Sequence, residues 1–341
     1  MKYLFILDPF EKLHLEADSS LLLMNEALFR ENEVYSCTEY DITRDNRSLF
    51  CRGRRHEEKL TPDIIEAEPV YSDFDLESFD IIVIRKDPPF DLSYLTLLLL
   101  LLDLRRPWII NNPLSVLRYN EKLAIFLFPE FITETIVTSS LPRIMRFIDE
   151  VGGAAVLKPL FSCSGKGVLL LKNSDPYLEA VIVSATAGGT EKVMVQRYLS
   201  EVTAGETRVF LLEDQPLAVM KKVPAEGSFK ANFDFGARGI PHTLTETELE
   251  ICRIVGAFCR KEGIILSALD IIGGHLSEFN ITSPGLLAES NQVDGARYEE
   301  EIIRFAADRL EHCSRPPGML RKPSPPVIAL LRSEGQAAPG I

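Results

Sequence analysis

Two carboxylates and an amide stand close together in Leu266-Ser-Ala-Leu-Asp-Ile-Ile-Gly-Gly-His-Leu-Ser-Glu-Phe-Asn-Ile281. Asp270 lies on one side of Gly273-Gly274; Glu278 and Asn280 lie on the other. Two β-rich runs around a Gly-Gly pair predict a hairpin. Side chains alternate faces along a strand, so Glu278 and Asn280 share one face. Asp270 joins them only if the loop has an odd residue count, such as Gly273-Gly274-His275. A two-residue turn would put Asp270 on the wrong side. If all three converge, two carboxylates and an amide oxygen suit a hard cation such as Mg2+, which also takes phosphate oxygens. An ordinary polar surface hairpin is the alternative.

Cationic groups and small-residue loops recur upstream. Lys158 ends an apolar run and precedes Pro159-Leu-Phe-Ser-Cys-Ser-Gly165-Lys166-Gly167. Backbone N–H groups in such loops can cradle phosphates. The loop is not a Walker A motif, because Gly165-Lys166 is followed by Gly167 and Leu160 stands where a glycine is needed. Lys122 follows Asn120-Glu121 at the predicted start of a helix, where anions are attracted. Arg208 opens a predicted strand pair and reads either as a surface residue or as an anion clamp. Lys230 and Arg238 lie in a Gly-rich stretch that reads as a loop able to close over a substrate, or as a plain connection. Taken together, Lys122, Lys158, Arg208 and the carboxylates form a set able to bind and transfer a nucleotide phosphate.

The elements that must hold these groups fall into three parts. Residues 1–114 alternate strands (2–8, 33–39, 79–84, 108–110) with helices (21–30 and the leucine-rich run near 95–102). That alternation predicts an open parallel α/β sheet with ligand-binding loops at the strand ends. The charged segment 44–66 reads as a loop or weak hairpin. Residues 115–196 predict an α+β lobe with helices 120–128, 141–150 and 176–187. Residues 197–311 predict antiparallel pairs, helices 246–262 and 298–310, and the hairpin. The Pro-rich residues 312–341 predict a disordered tail.

The length suggests two or three domains. A net charge of −13 argues against nucleic-acid binding, which needs a basic surface. The six cysteines show no zinc spacing, and with no signal peptide they are expected to be reduced, cytoplasmic thiols. The leucine run falls far short of the about 20 apolar residues needed to span a membrane. Histidine-centred catalysis is not suggested.

Particular phrases then carry a resemblance. They are Asp8-Pro9, Asp18-Ser19-Ser20, Arg85-Lys86-Asp87-Pro88-Pro89-Phe90, Asn120-Glu121-Lys122-Leu123, Lys158-Pro159-Leu160, Leu269-Asp270-Ile271-Ile272-Gly273 and Glu278-Phe279-Asn280-Ile281-Thr282-Ser283-Pro284. In this order, over roughly residues 1–310, the chain resembles the bacterial glutathione synthetases of the ATP-grasp superfamily. The resemblance implies an N-terminal pre-ATP-grasp domain followed by a two-lobed α+β ATP-grasp fold. It implies an ATP-dependent ligase joining γ-glutamylcysteine and glycine through an acyl phosphate. Alternatives are another ATP-grasp carboxylate–amine ligase, or an ATP-binding protein without turnover.

The resemblance also implies site residues. Lys122, Lys158, Ser164, Gly165, Gln196, Tyr198, Leu199 and Asn280 would bind ATP. Asp270, Glu278 and Asn280 would hold two Mg2+ ions, or Mn2+. Arg208 and Lys158 would act in catalysis, and Arg85, Lys86, Lys230, Arg238, Thr282 and Ser283 would lie near the substrate. It further implies a homo-oligomer. Departures are Phe161-Ser-Cys-Ser164, where Asp-Gly is usual, and Lys230, where an Arg is usual. The first brings the Cys163 thiol near the nucleotide.

Overall fold

The segment Lys2–Leu7 (β1) is apolar on both faces, as a central parallel strand must be. In the computed structural model, which describes residues 1–313 apart from Glu16, Ala67 and Ser164, β1 is the axis of the N-terminal sheet. Helix α1 (Ser19–Phe29) follows, capped by Asp18, which accepts from Ser20 N at 2.7 Å and Leu21 N at 3.2 Å. Then come β2 (Glu33–Cys37), β3 (Ile42–Arg44), β4 (Leu49–His56), α2 (Pro62–Glu66), β5 (Tyr71–Asp75), β6 (Ile81–Arg85), α3 (Leu92–Leu101), β7 (Trp108–Ile110) and α4 (Pro113–Arg118). The sheet order is β3-β4-β2-β1-β6-β7, with β5 also on β4.

Strands β2, β1, β6 and β7 are parallel, as expected. Of the two readings of the charged segment 44–66 the hairpin holds: β4 lies within it and pairs antiparallel with β3 before it and β5 after it, a ribbon that widens the sheet. Strand β4 alternates, with Leu49, Cys51, Gly53 and His56 buried and arginines between them. The arginines mask the strand in the sequence. The leucine run forms α3, with Tyr94, Leu97, Leu98 and Leu101 buried. Among the described residues no helix is long and apolar enough to cross a membrane. The predicted tail lies, from Ser314 on, outside the described residues.

The second sheet contains β8 (Thr135–Thr138), β9 (Ala154–Pro159), β10 (Leu169–Lys172) and β11 (Val193–Arg197), in antiparallel order β10-β9-β11-β8. Helices α5 (Leu141–Glu150) and α6 (Leu178–Ala185) bury Ile144, Phe147, Ile148 and Ile182 against it. The predicted helix 120–128 is a 3-10 turn, Leu123–Leu127. Its entry is fixed by Asn120, whose Oδ1 accepts from Lys122 N and Leu123 N, both at 3.0 Å. A short polar side chain has replaced the anion-attracting helix end.

The third sheet has the order β14-β13-β12-β15-β16. Its strands are β12 (Glu206–Leu212), β13 (Gln215–Val223), β14 (Arg238–Pro241), β15 (Leu266–Ile272) and β16 (His275–Asn280), flanked by α7 (Glu246–Glu262), α8 (Leu287–Asp294) and α9 (Tyr298–Cys313).

The first and third sheets share one apolar cluster. Tyr3, Phe5 and Leu7 from β1 join Phe210, Ala268 and the α9 residues Ile302 and Ile303. A buried polar clasp reinforces the joint. Asn111 Nδ2 donates to Leu266 O at 2.7 Å and Ile281 O at 2.8 Å, while Oδ1 accepts from Ile265 N at 2.7 Å and Leu266 N at 2.8 Å. One side chain thereby satisfies backbone groups at both the start of β15 and the end of β16. Truncating it strands buried amides, each costing about 1–3 kcal/mol. Asn111→Ala is expected to destabilise the protein by on the order of 3 kcal/mol, measured by chemical denaturation. A loss below about 1 kcal/mol would show that the clasp is dispensable.

Candidate active site

The hairpin forms, but not with the odd loop expected from its sequence. Ile272 pairs with His275, so the turn is only Gly273-Gly274, with φ of +56° and +80°. Such a turn calls for left-handed backbone at both positions, which glycine supplies without strain. Parity is restored one step further in. Ile271 pairs with Leu276, yet Asp270 pairs with Glu278, leaving Ser277 as an extra residue in β16. This bulge returns Glu278 and Asn280 to the face of Asp270. It also turns Ser277 toward Lys158, whose Nζ donates to Ser277 Oγ at 2.8 Å and to Ser277 O at 3.3 Å.

The cross-strand rows place six polar side chains on one face of the third sheet. Arg208, Asp270 and Glu278 form one row. Lys222 and Glu206 are paired on β13 and β12, and Asn280 lies opposite Ala268. Arg208 Nη1 lies 2.7 Å from Asp270 Oδ2, and Lys222 Nζ lies 2.8 Å from Oδ1. Asn280 Nδ2 donates to Asp270 Oδ2 at 3.0 Å, leaving Oδ1 as its oxygen donor atom. Lys122 Nζ lies 2.9 Å from Glu278 Oε1.

The electrostatics follow from this crowding. Burial opposes ionisation of Asp270, but Arg208 and Lys222 outweigh it and hold the carboxyl well below the usual range. Burial pushes Glu206 up to about 7, with Lys222 pulling against it. Burial lowers Lys158, only partly opposed by Glu278. Lys122 is also desolvated, yet Glu278 raises it. Lys122, Lys158, Arg208 and Lys222 stand against Asp270, Glu278 and Glu206 on this face, a balance of charge suited to a polyanion.

Two cavities meet over this face. The first, of about 910 Å³, runs from Lys122, Lys158 and Lys222 to Gln196, Tyr198, Leu199 and Val202, where β11 leads into the third sheet. Gly165 and Lys230 border it, and Lys230 Nζ donates to Gly165 O at 3.2 Å. A Cβ on Gly165 would stand 2.7 Å from Asn232 Oδ1, and with φ at +69° any other residue here would be strained. The second cavity, of about 820 Å³, is lined by Arg208, Asn280, Thr282, Ser283 and Asp87. Asp270, Glu278, Lys222 and Cys163 line both.

Arg85, Lys86 and Arg238, also singled out in the sequence, fall elsewhere. Arg85 and Lys86 turn into the protein, at 4% and 5% exposure. Arg85 donates to Ser20 Oγ and Pro284 O, and Lys86 pairs with Glu39 at 2.9 Å. Neither side chain lines either of these two cavities. Arg238 is exposed on edge strand β14 and lines neither. Thr282 gives its hydroxyl to Glu121 at 2.7 Å, and Ser283 donates to Arg85 O at 3.2 Å. Ser164 lies outside the described residues. Glu206, Lys222, Glu121 and Ser277 escaped the sequence reading. Lys222 carried a usable signal, since like Lys158 it ends an apolar strand.

Among the described residues no group of three His, Cys, Asp or Glu is placed to hold a metal ion. Asp270, Glu278 and the amide oxygen of Asn280 nevertheless form a hard-oxygen donor set on one face, which fits a divalent cation.

The prokaryotic glutathione synthetase N-terminal domain model matches residues 1–118, and the corresponding ATP-grasp domain model matches residues 121–295. The chain belongs to the prokaryotic glutathione synthetase family. Similar relatives include the glutathione synthetases of Gloeobacter violaceus (36% identical, covering 90% of this chain and 97% of that one) and Nitrosomonas europaea (32%, covering 86% and 94%). The fold is similar to that of D-cycloserine synthetase DcsG, with a TM-score of 0.61 at 16% identity over 90% of this chain and 99% of that one. It is also similar to D-alanyl-alanine synthetase A of Vibrio cholerae, with a TM-score of 0.59 at 16% identity over 91% and 98%. The chain is an ATP-dependent ligase of the ATP-grasp class, and the family implies ATP and a divalent metal.

Lys222 provides a test of the charge balance. Lys222→Met removes one buried cation from both cavities. It is expected to weaken ATP binding about tenfold or more, as a charge-assisted contact is worth roughly 1.5–3 kcal/mol. Calorimetric titration would read this, and unchanged affinity would place Lys222 outside the binding set.

Proposed function

We propose that this ligase joins the cysteinyl carboxylate of γ-glutamylcysteine to the amine of glycine, forming glutathione, ADP and phosphate. The observation that supports it is the meeting of two cavities at Asp270 and Glu278. One cavity has the cations and apolar slot for a nucleotide, and the other opens on Arg208 for a carboxylate. Phosphoryl transfer between two substrates needs such a junction.

Within this reading Lys122, Lys158, Ser164 and Gly165 hold the phosphates, while Gln196, Tyr198 and Leu199 hold the adenine. The dipeptide carboxylate attacks the γ-phosphorus, the bond to ADP breaks, and an acyl phosphate results. Glycine's neutral amine then attacks the acyl carbon, phosphate leaves, and the amine proton is released. Arg208 faces the oxygens on which charge grows during transfer. Its Nε is buried without a hydrogen-bond partner among the described residues, so it has a donor to give an incoming oxyanion. Asp270, Glu278 and Asn280 would hold two Mg2+ ions, which when bound neutralise phosphate charge. Thr282 and Ser283 shape the acceptor cavity, and Lys230 spans the loops over the nucleotide. Arg85 and Lys86 contribute from behind, by fixing the loop that carries Asp87, and Arg238 by pairing β14 to β13. Domain limits of 1–114, 115–196 and 197–311, a cytoplasmic location and homo-oligomeric assembly complete the proposal. Sedimentation would count the copies.

The deciding assay is ADP release from Mg-ATP. Release is expected with γ-glutamylcysteine plus glycine, and not with glycine alone or unrelated dipeptides. Nucleotide binding without turnover on any acceptor would favour a binding protein instead. Arg208→Ala is expected to lower kcat by about two orders of magnitude, the usual worth of one such donor, with a smaller effect on the KM for ATP. The opposite split would remove it from the transfer step. Asp270→Asn and Glu278→Gln should abolish turnover with circular dichroism unchanged, and activity in either would refute the metal assignment.

A further inference from the structure

Strand β16 forms one edge of the third sheet, and the outer amides of an edge strand have no strand to pair with. Glu121 takes up two amides at this edge. Its backbone carbonyl accepts from Phe279 N at 3.1 Å, and its Oε1 accepts from Ile281 N at 3.0 Å. The same oxygen accepts from Thr282 N at 3.1 Å and from the Thr282 hydroxyl at 2.7 Å. Main chain and side chain of one buried residue thus hold the end of β16 on both sides of Asn280. Attachment at two points fixes where the backbone at 121 lies along the strand and which way it runs.

The residues beside it use that placement. Asn120 Nδ2 donates to Leu160 O at 3.0 Å. Lys122 Nζ lies 2.9 Å from Glu278 Oε1 and 2.6 Å from Ser162 O. Leu160 and Ser162 belong to the loop after β9, so the tripeptide bridges that loop and β16. The ion pair to Glu278 would not fix the bridge by itself. An ammonium group on a flexible four-carbon stem can follow its partner over a range of backbone positions. The bonds from Glu121 to backbone amides allow no such range.

We propose that Glu121 is a positioning residue for phosphoryl transfer: it sets the register of residues 120–122 along β16 and so holds the Lys122 ammonium group over the nucleotide cavity. The proposal rests on the reading of Lys122 as a phosphate-binding residue given above. The negative charge of Glu121 is not what serves the nucleotide, since a carboxylate beside a phosphate site opposes the anion. What serves it is an acceptor oxygen at the end of a side chain of this length.

The experiment reads ATP affinity by titration calorimetry, which returns stoichiometry and affinity separately. Unfolded protein therefore lowers the first and leaves the second. Lys122→Met is expected to weaken ATP binding about tenfold or more, the loss of one charge-assisted contact. Glu121→Asp keeps the charge but is one methylene short, and is expected to weaken binding about fivefold or more. Glu121→Gln, the conservative variant in length and acceptor oxygen, is expected to lose no more than about twofold. In the Lys122→Met background, Glu121→Asp should cost less than about twofold further, because the group it positions is gone. Equal losses from Glu121→Asp in both backgrounds would mark a merely structural role and overturn the assignment. Unchanged affinity in Glu121→Asp, or an equal loss in Glu121→Gln, would overturn it as well. If Lys122→Met binds ATP as tightly as the unaltered protein, the phosphate-binding reading of Lys122 fails and the role of Glu121 falls with it.

Discussion

The parity of one hairpin governs the site. Strand geometry allows only two faces, and each single-residue shift exchanges them. The Gly273-Gly274 turn by itself would send Glu278 and Asn280 into the apolar layer that holds Leu276 and Phe279. The bulge at Ser277 prevents this, at the cost of one interrupted ladder position. The freed backbone carbonyl and hydroxyl are taken up by Lys158 from the end of β9. The irregularity that aligns the carboxylates thus also anchors the second sheet to the third.

Around that face the protein concentrates charge that would be prohibitive alone. Asp270 is tolerable in the interior because two cations and an amide surround it. Glu206 and Lys222 extend the network to β13. Such clusters are poor devices for stability, and stability comes from elsewhere: the apolar cluster joining the first and third sheets, and the Asn111 clasp. These tie the first sheet to the third. The second sheet has its own core, built from Ile144, Phe147, Leu157 and Ile182.

Much of this arrangement was legible in the residue pattern, for physical reasons. Uniformly apolar strands such as Lys2–Leu7 announce themselves, and Asp18 marks the start of a helix. The alternation around Gly273-Gly274 is enough to expose the hairpin and its three oxygen-bearing residues. The bulge was not legible, because a two-residue turn plus one extra strand residue has the same length as a three-residue loop. The ribbon β3-β4-β5 was hidden by outward arginines in β4. The inward turn of Arg85 and Lys86 was also invisible, since their partners Ser20, Pro284 and Glu39 come from distant segments. Arg238 suggested a substrate contact by its type and its glycine-rich setting. An edge strand holds it outside the cavities instead.

Three lysines that line the first cavity are already held by the protein. Lys122 holds Ser162 O at 2.6 Å and Lys230 holds Gly165 O at 3.2 Å, both carbonyls of the loop after β9. Lys158 is occupied by Ser277. Under the proposed function, an arriving phosphate would enter by exchange, an ammonium group trading a protein oxygen for a phosphate oxygen. The number of hydrogen bonds changes little, so affinity reflects a difference between two good partners. The loop that would be released borders both cavities, so under that reading nucleotide arrival and loop rearrangement would be a single event.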